Sequence, residues 1–120
     1  MARRRGRSLG RAPDVEYSDG EGGVLVLRGS LSAGTRRSYA RISSGEELSP
    51  GATREDAWHR AFEFLFERLV VSWTIAGAEP LSSQRELLGR LRFASSDERG
   101  WLRDRLREHC AQYFPDVHAP

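Results

Sequence analysis

The chain has 120 residues, a formal net charge of +2 and one cysteine, Cys110. That length fits one domain and hardly two, and folding at this size buries roughly 65% of the unfolded chain's surface, enough for a modest core without staples. An intramolecular disulfide is excluded, no apolar run approaches the ~20 residues that span a bilayer, and the basic N-terminus has no apolar stretch behind it to read as a secretory signal.

The charge is unevenly spread. All 19 basic residues are Arg, with no Lys and no Asn, a bias that GC-rich coding DNA accounts for without any functional reason. Residues 1–13 hold Arg3, Arg4, Arg5, Arg7 and Arg11 and no acid. Residues 14–120 then hold 14 Arg against 17 acids, a net −3. A basic tail on a mildly acidic body argues against a nucleic-acid-binding domain, which concentrates positive charge on its folded face.

In chain order, residues 1–13 are expected to be a disordered Arg-rich tail, being charged, rich in Gly and poor in anything to bury. Its functional alternative is an electrostatic arm for nucleic acid or an acidic partner, made of the same five Arg. Next, "DVEYSDGEGGVLVLRGS" predicts a β-hairpin over 14–28, with strands near 14–18 and 23–28 around an Asp-Gly/Gly-Gly turn. Gly20, Gly22 and Gly23 lack the GKS/T of a phosphate loop and read as a mobile turn.

A short helix near 32–43 follows, capped by Ser30 or Ser32, with Tyr39 and Ile42 inward. Residues 44–52 are a loop by their Ser, Gly and Pro content. The strongest helix, 53–71, opens on Thr53 with Glu55 and Asp56 favourable to its dipole. Trp58, Ala61, Phe62, Leu65 and Leu69 recur along it at helical spacing. Phe64 and Phe66 widen the apolar face beyond one stripe. Val71, Trp73 and Ile75 then alternate with Ser72 and Thr74 at a strand period, so the helix is expected to stop near 71 and give way to an extended segment before Gly77 and Pro80.

Helices near 83–91 and 97–113 carry Ser-x-x-Glu boxes at Ser83/Glu86 and Ser95/Glu98. Leu87, Leu88 and Leu91 are the buried set of the first; Trp101, Leu102, Leu106, Cys110 and Tyr113 that of the second. Pro115 ends the last helix, and residues 115–120 are expected to be a flexible C-terminus. The fold class is therefore α+β, mostly α. It comprises an N-terminal β-hairpin and a bundle of about four helices in one domain over 14–114.

Nothing in the pattern points to catalysis, a metal or a cofactor. His59, His109 and His118 are far apart with no HxxxH pairing, and Cys110 is alone. Adjacent on a helix, His109 and Cys110 point about 100° apart and do not make a nucleophile–base pair. Glu63 and Glu67 lie on a polar face. Arg99, Arg103 and Arg107 line up at i, i+4, i+8, but Asp104 and Glu108 interleave, the mark of a solvated, charge-balanced face. What remains is a large aromatic load. Most of it must be core, yet Trp and Tyr anchor interfaces, and Trp58, Phe62, Phe66, Trp101 and Tyr113 are the candidate partner-binding residues.

The stretch "VVSWTIAGAEPLSSQRELLGRL" carries a resemblance. Val71, Trp73 and Ile75, the Gly77 turn, Pro80 and Leu81, then Leu87, Leu88 and Leu91 resemble the tail assembly chaperones of long-tailed bacteriophages and related prophages. Trp73, Gly77, Pro80 and Leu81 are the sharpest points, while "AGAEP" and the Arg-rich start depart from the family pattern. The resemblance implies a non-enzymatic protein of the bacterial host cytoplasm. Such chaperones are thought to keep the tape-measure protein, a long apolar helical polypeptide, soluble until tail-tube subunits enclose it. They tend to be absent from the finished virion, and many also exist in a longer frameshifted form. The expected partner is thus a protein client, with self-association open, no membrane, and nucleic acid only through the tail. The competing readings are a nucleic-acid-associated regulator using that tail and a minor structural virion component.

Overall fold

A computed structural model describes residues 12–45, 51 and 53–120. The five Arg of the tail, and residues 46–50 and 52 of the 44–52 loop, lie outside the described residues.

The expected hairpin is present. Strand β1 (Val15–Ser18) pairs antiparallel with β2 (Val24–Leu27), matching Val15 to Leu27 and Tyr17 to Leu25. The Asp19 carboxylate closes the turn by accepting from the N–H groups of Glu21 at 2.7 Å and Gly23 at 2.9 Å. Gly20 and Gly22 supply the positive φ values of 81° and 93° that this turn needs.

Each helix starts where a side chain can satisfy its free N–H groups. Helix α1 (Ala33–Ser44) is capped by Ser32 and ends on left-handed Gly45. Helix α2 (Arg54–Leu69) and helix α4 (Ser96–Tyr113) open on reciprocal boxes, Thr53 with Asp56 and Ser95 with Glu98. Helix α3 (Gln84–Arg92) is capped by Ser83. The sequence-based limits of all four differ from these by one residue at most ends.

The larger difference is at the end of α2. That helix stops at Leu69, two residues short of the expected 71, and passes without a loop into strand β3 (Val70–Thr74). β3 pairs antiparallel with β2, so the hairpin is two-thirds of a three-stranded sheet in the order β1-β2-β3. A register shift between Val26 and Leu27 lets Leu27 face Val70 while Leu25 faces Trp73. The inner face of the sheet is thereby Tyr17, Leu25 and Trp73 in one row, with Leu25 and Leu27 fully buried.

The core lies between this face and the helices. α2 contributes Ala61, Phe62, Leu65, Phe66 and Leu69; α3 contributes Leu87 and Leu91; α4 contributes Leu102, Leu106 and Cys110. The last residues do not match the expectation of a flexible end. Phe114 and Val117 are buried, the Tyr39 hydroxyl donates to the His118 carbonyl at 2.6 Å, and Arg107 Nε donates to the Pro120 oxygen at 2.7 Å. A buried Val after the helix-ending Pro115 folds the segment back onto α1 and α4. No helix among the described residues is long and apolar enough to cross a membrane.

Candidate functional site

Trp73 marks the junction that the sequence singles out. Its backbone N–H and C=O pair with the C=O and N–H of Leu81, both at 2.9 Å, so the chain returns along the outer edge of β3. Gly77, at φ 82°, makes the reversal, with the Ala78 N–H donating to the Ile75 carbonyl. The Trp73 ring meets Phe66 of α2 edge to face, with centroids 6.0 Å apart, and the Arg90 guanidinium of α3 lies 5.4 Å over it. Of the four sharpest motif residues, Trp73, Gly77 and Leu81 therefore build one small unit, and Pro80 is exposed beside it.

Beyond Trp73, β3 and the residues after it open onto the start of α4. A groove of about 380 Å³ lies there, with Trp73, Ile75, Ala76 and Trp101 as its apolar lining. Four carboxylates ring it: Asp19 and Glu21 from the hairpin turn, Asp97 and Glu98 from the first turn of α4. Glu98 is held below the usual carboxylate range, chiefly by the Ser95 N–H and then by Arg90, whose guanidinium is 2.7 Å away. Asp19 accepts only from backbone N–H groups, and Glu21 and Asp97 have no cationic partner among the described residues. An aromatic floor under a rim with surplus negative charge favours a ligand that is both apolar and cationic.

The candidate partner-binding residues divide. Phe62 and Phe66 belong to the core, at 3% and 0% exposure, and present nothing to a partner. Trp101 lines the groove. Trp58, half-buried, stacks on Phe62 and lies under Arg103, two residues from Trp101 and so on the other side of α4. Tyr113 packs beside His109 with centroids 4.8 Å apart, about 18 Å along α4 from Trp101 at the helical rise. The five do not form one surface; only Trp101 enters the groove. Asp19, Glu21 and Asp97 were missed because nothing local in the sequence brings a hairpin turn against a helix start. The one available signal was the Asp97–Glu98 pair in a first turn beside a Trp.

The remaining reactive groups are engaged. His109 is fully buried: its Nε2–H donates to the Arg28 carbonyl at 2.7 Å, which leaves Nδ1 to accept from the Tyr17 hydroxyl at 2.8 Å. Burial holds its pKa below the ordinary value of 6.5, against the opposing pull of Arg28 and Glu108. Burial also pushes the Cys110 thiol up to about 12, far from a nucleophile's range. The Arg99, Arg103, Arg107 series has intramolecular partners throughout: the Leu91 carbonyl, the Trp58 ring and the Pro120 oxygen. No group of three or more His, Cys, Asp or Glu placed to hold a metal occurs among the described residues.

Comparison with known proteins leaves the geometry to speak for itself: no family model, no curated protein and no solved structure matches this chain.

Proposed function

We propose that the protein is a non-enzymatic, client-binding phage tail assembly chaperone. In this reading it holds an apolar helical stretch of the tape-measure protein in the host cytoplasm during tail assembly. The observation that carries the reading is the groove beside Trp73. Of the residues that bear the family resemblance, Trp73 and Ile75 line it, together with Thr74 and Ala76, and Leu81 pairs with Trp73 behind them. An aromatic floor ringed by acids suits a helix with an apolar face and flanking cations, laid in the groove as amphipathic helices are elsewhere.

The test is co-expression with the tape-measure protein, judged from the share of the latter in the soluble fraction. The wild-type chain raises that share. Ala76→Asp, which puts a charge on the exposed groove wall outside the core, loses most of the gain. A tape-measure protein that stays equally insoluble with and without the wild-type chain refutes the proposal.

A further inference from the structure

We propose that, without a client, this groove is the docking site of the chain's own Arg-rich N-terminal segment, with Arg3, Arg4 and Arg5 at its acidic rim. Charge complementarity is the first support. With Glu98 matched by Arg90, the rim keeps three carboxylates, Asp19, Glu21 and Asp97, with no cation beside them among the described residues. The segment carries five Arg and no acid, while the rest of the chain is net −3. It is the densest positive charge in the sequence, tethered to the same molecule.

Reach is the second support. Ala12 and Pro13 lie against Gly29, at the end of the hairpin away from its turn. From Ala12 to Asp19 is seven residues, at most about 25 Å of extended chain. Arg5, Arg4 and Arg3 stand seven to nine residues before Ala12, so the same extension returns them to the groove. Arg11, next to the anchor, falls far short. Chemistry is the third. Guanidinium groups favour aromatic faces. Five Arg among the described residues already lie 5.1–5.6 Å from an aromatic centroid. In the groove, half-buried Trp101 is the ring within reach of such a group, beside Arg105 at 5.6 Å from its centroid, since Trp73 is 4% exposed and lies under Arg90. The docking itself does not depend on the client reading, since both partners are in this chain.

The experiment uses the full chain carrying Ser8→Cys with a nitroxide on the new thiol; buried Cys110 does not react. The indole N–H resonances of Trp58, Trp73 and Trp101 are the reporters. Trp101 is expected to lose most of its intensity, while Trp58, on the far side of α4, keeps its own. The contrast disappears near 1 M salt, where the Debye length falls to about 3 Å. It also disappears in Glu21→Arg/Asp97→Arg and returns when Arg3, Arg4 and Arg5 are changed to Glu in that background. If the reversed turn disturbs the fold, the neutral pair Glu21→Gln/Asp97→Asn replaces it, with the contrast expected to weaken. Equal loss at all three indoles, or a contrast indifferent to the rim substitutions, overturns the proposal. So does the same loss at Trp101 when the nitroxide is on one copy and the isotope on another, which assigns the docking to a second molecule. None of these outcomes bears on tape-measure solubility, so failure here leaves the client reading standing.

Discussion

At the scale of single residues, His109 sets the clearest constraint. A carbonyl only accepts, so Arg28 fixes the proton on Nε2 and the Tyr17 hydroxyl must donate to Nδ1. Tyr17→Phe leaves Nδ1 buried without a donor, and a loss of about 1–3 kcal/mol is expected from the urea midpoint. The pH dependence has a definite sign. The unfolded imidazole takes a proton near 6.5 while burial keeps the folded one neutral below that. The stabilisation is therefore complete above pH 6.5 and is lost as the pH falls towards the lowered folded value. Urea midpoints should drop as buffers go below 6.5, and His109→Gln should flatten that slope. Cys110 acts at the opposite end. Its thiol ionises near 9.0 when unfolded and at about 12 when folded, so its contribution is full below pH 9.0 and is lost as the pH rises towards 12. Tyr39, raised from 10.0 to about 12 by burial, adds in the same direction. Under native conditions a chromogenic disulfide should react with Cys110 no faster than the protein opens; reaction within mixing time would show an exposed thiol.

At the scale of elements, the passage from α2 into β3 carries the fold. Trp73 is 4% exposed and packs on Phe66, and Trp73→Ala should cost about 3–5 kcal/mol in urea unfolding. Gly77→Ala should cost less, about 1–2 kcal/mol. No atom lies within 4 Å of an added Cβ, so only the left-handed backbone at φ 82° resists it. The order of these two effects tests whether the junction is held by packing or by turn geometry. The strand period of Val71, Trp73 and Ile75 was legible in the sequence, as were the caps at Thr53, Ser83 and Ser95, because both are local patterns. The partner of β3 was not. Pairing Val24–Leu27 with residues more than forty positions on is a long-range choice, fixed by the burial of Leu25 and Leu27 against α2. In "FEFLF", helical spacing likewise puts Phe62 on the apolar stripe but does not say which of Phe64 and Phe66 is buried. Packing on two sides buries Phe62 and Phe66 and leaves Phe64 stacked on Tyr39 of α1.

At the scale of the whole molecule, mostly-α architecture follows from periodicity, whereas the groove does not, since it joins a turn at residues 19–21 to a helix start at 97. The packing of residues 115–120 was equally hidden: "PDVHAP" has one apolar side chain of any size, and only the gap between α1 and α4 makes Val117 a core residue. Removing 115–120 separates the two views. A flexible end would cost less than about 0.5 kcal/mol. The packed one should cost about 2–4 kcal/mol, from the burial of Val117 and the hydrogen bond of Tyr39 to His118. The Arg36–Asp116 ion pair, 3.1 Å long but open to solvent, adds little to that. A double-mutant cycle isolates the clamp. Tyr39→Phe should destabilise the full chain by about 0.5–1.5 kcal/mol and be close to neutral in the truncated one, because the acceptor of its hydroxyl among the described residues has gone. Equal effects of Tyr39→Phe in both backgrounds would mean that the C-terminal segment does not close onto α1 in solution.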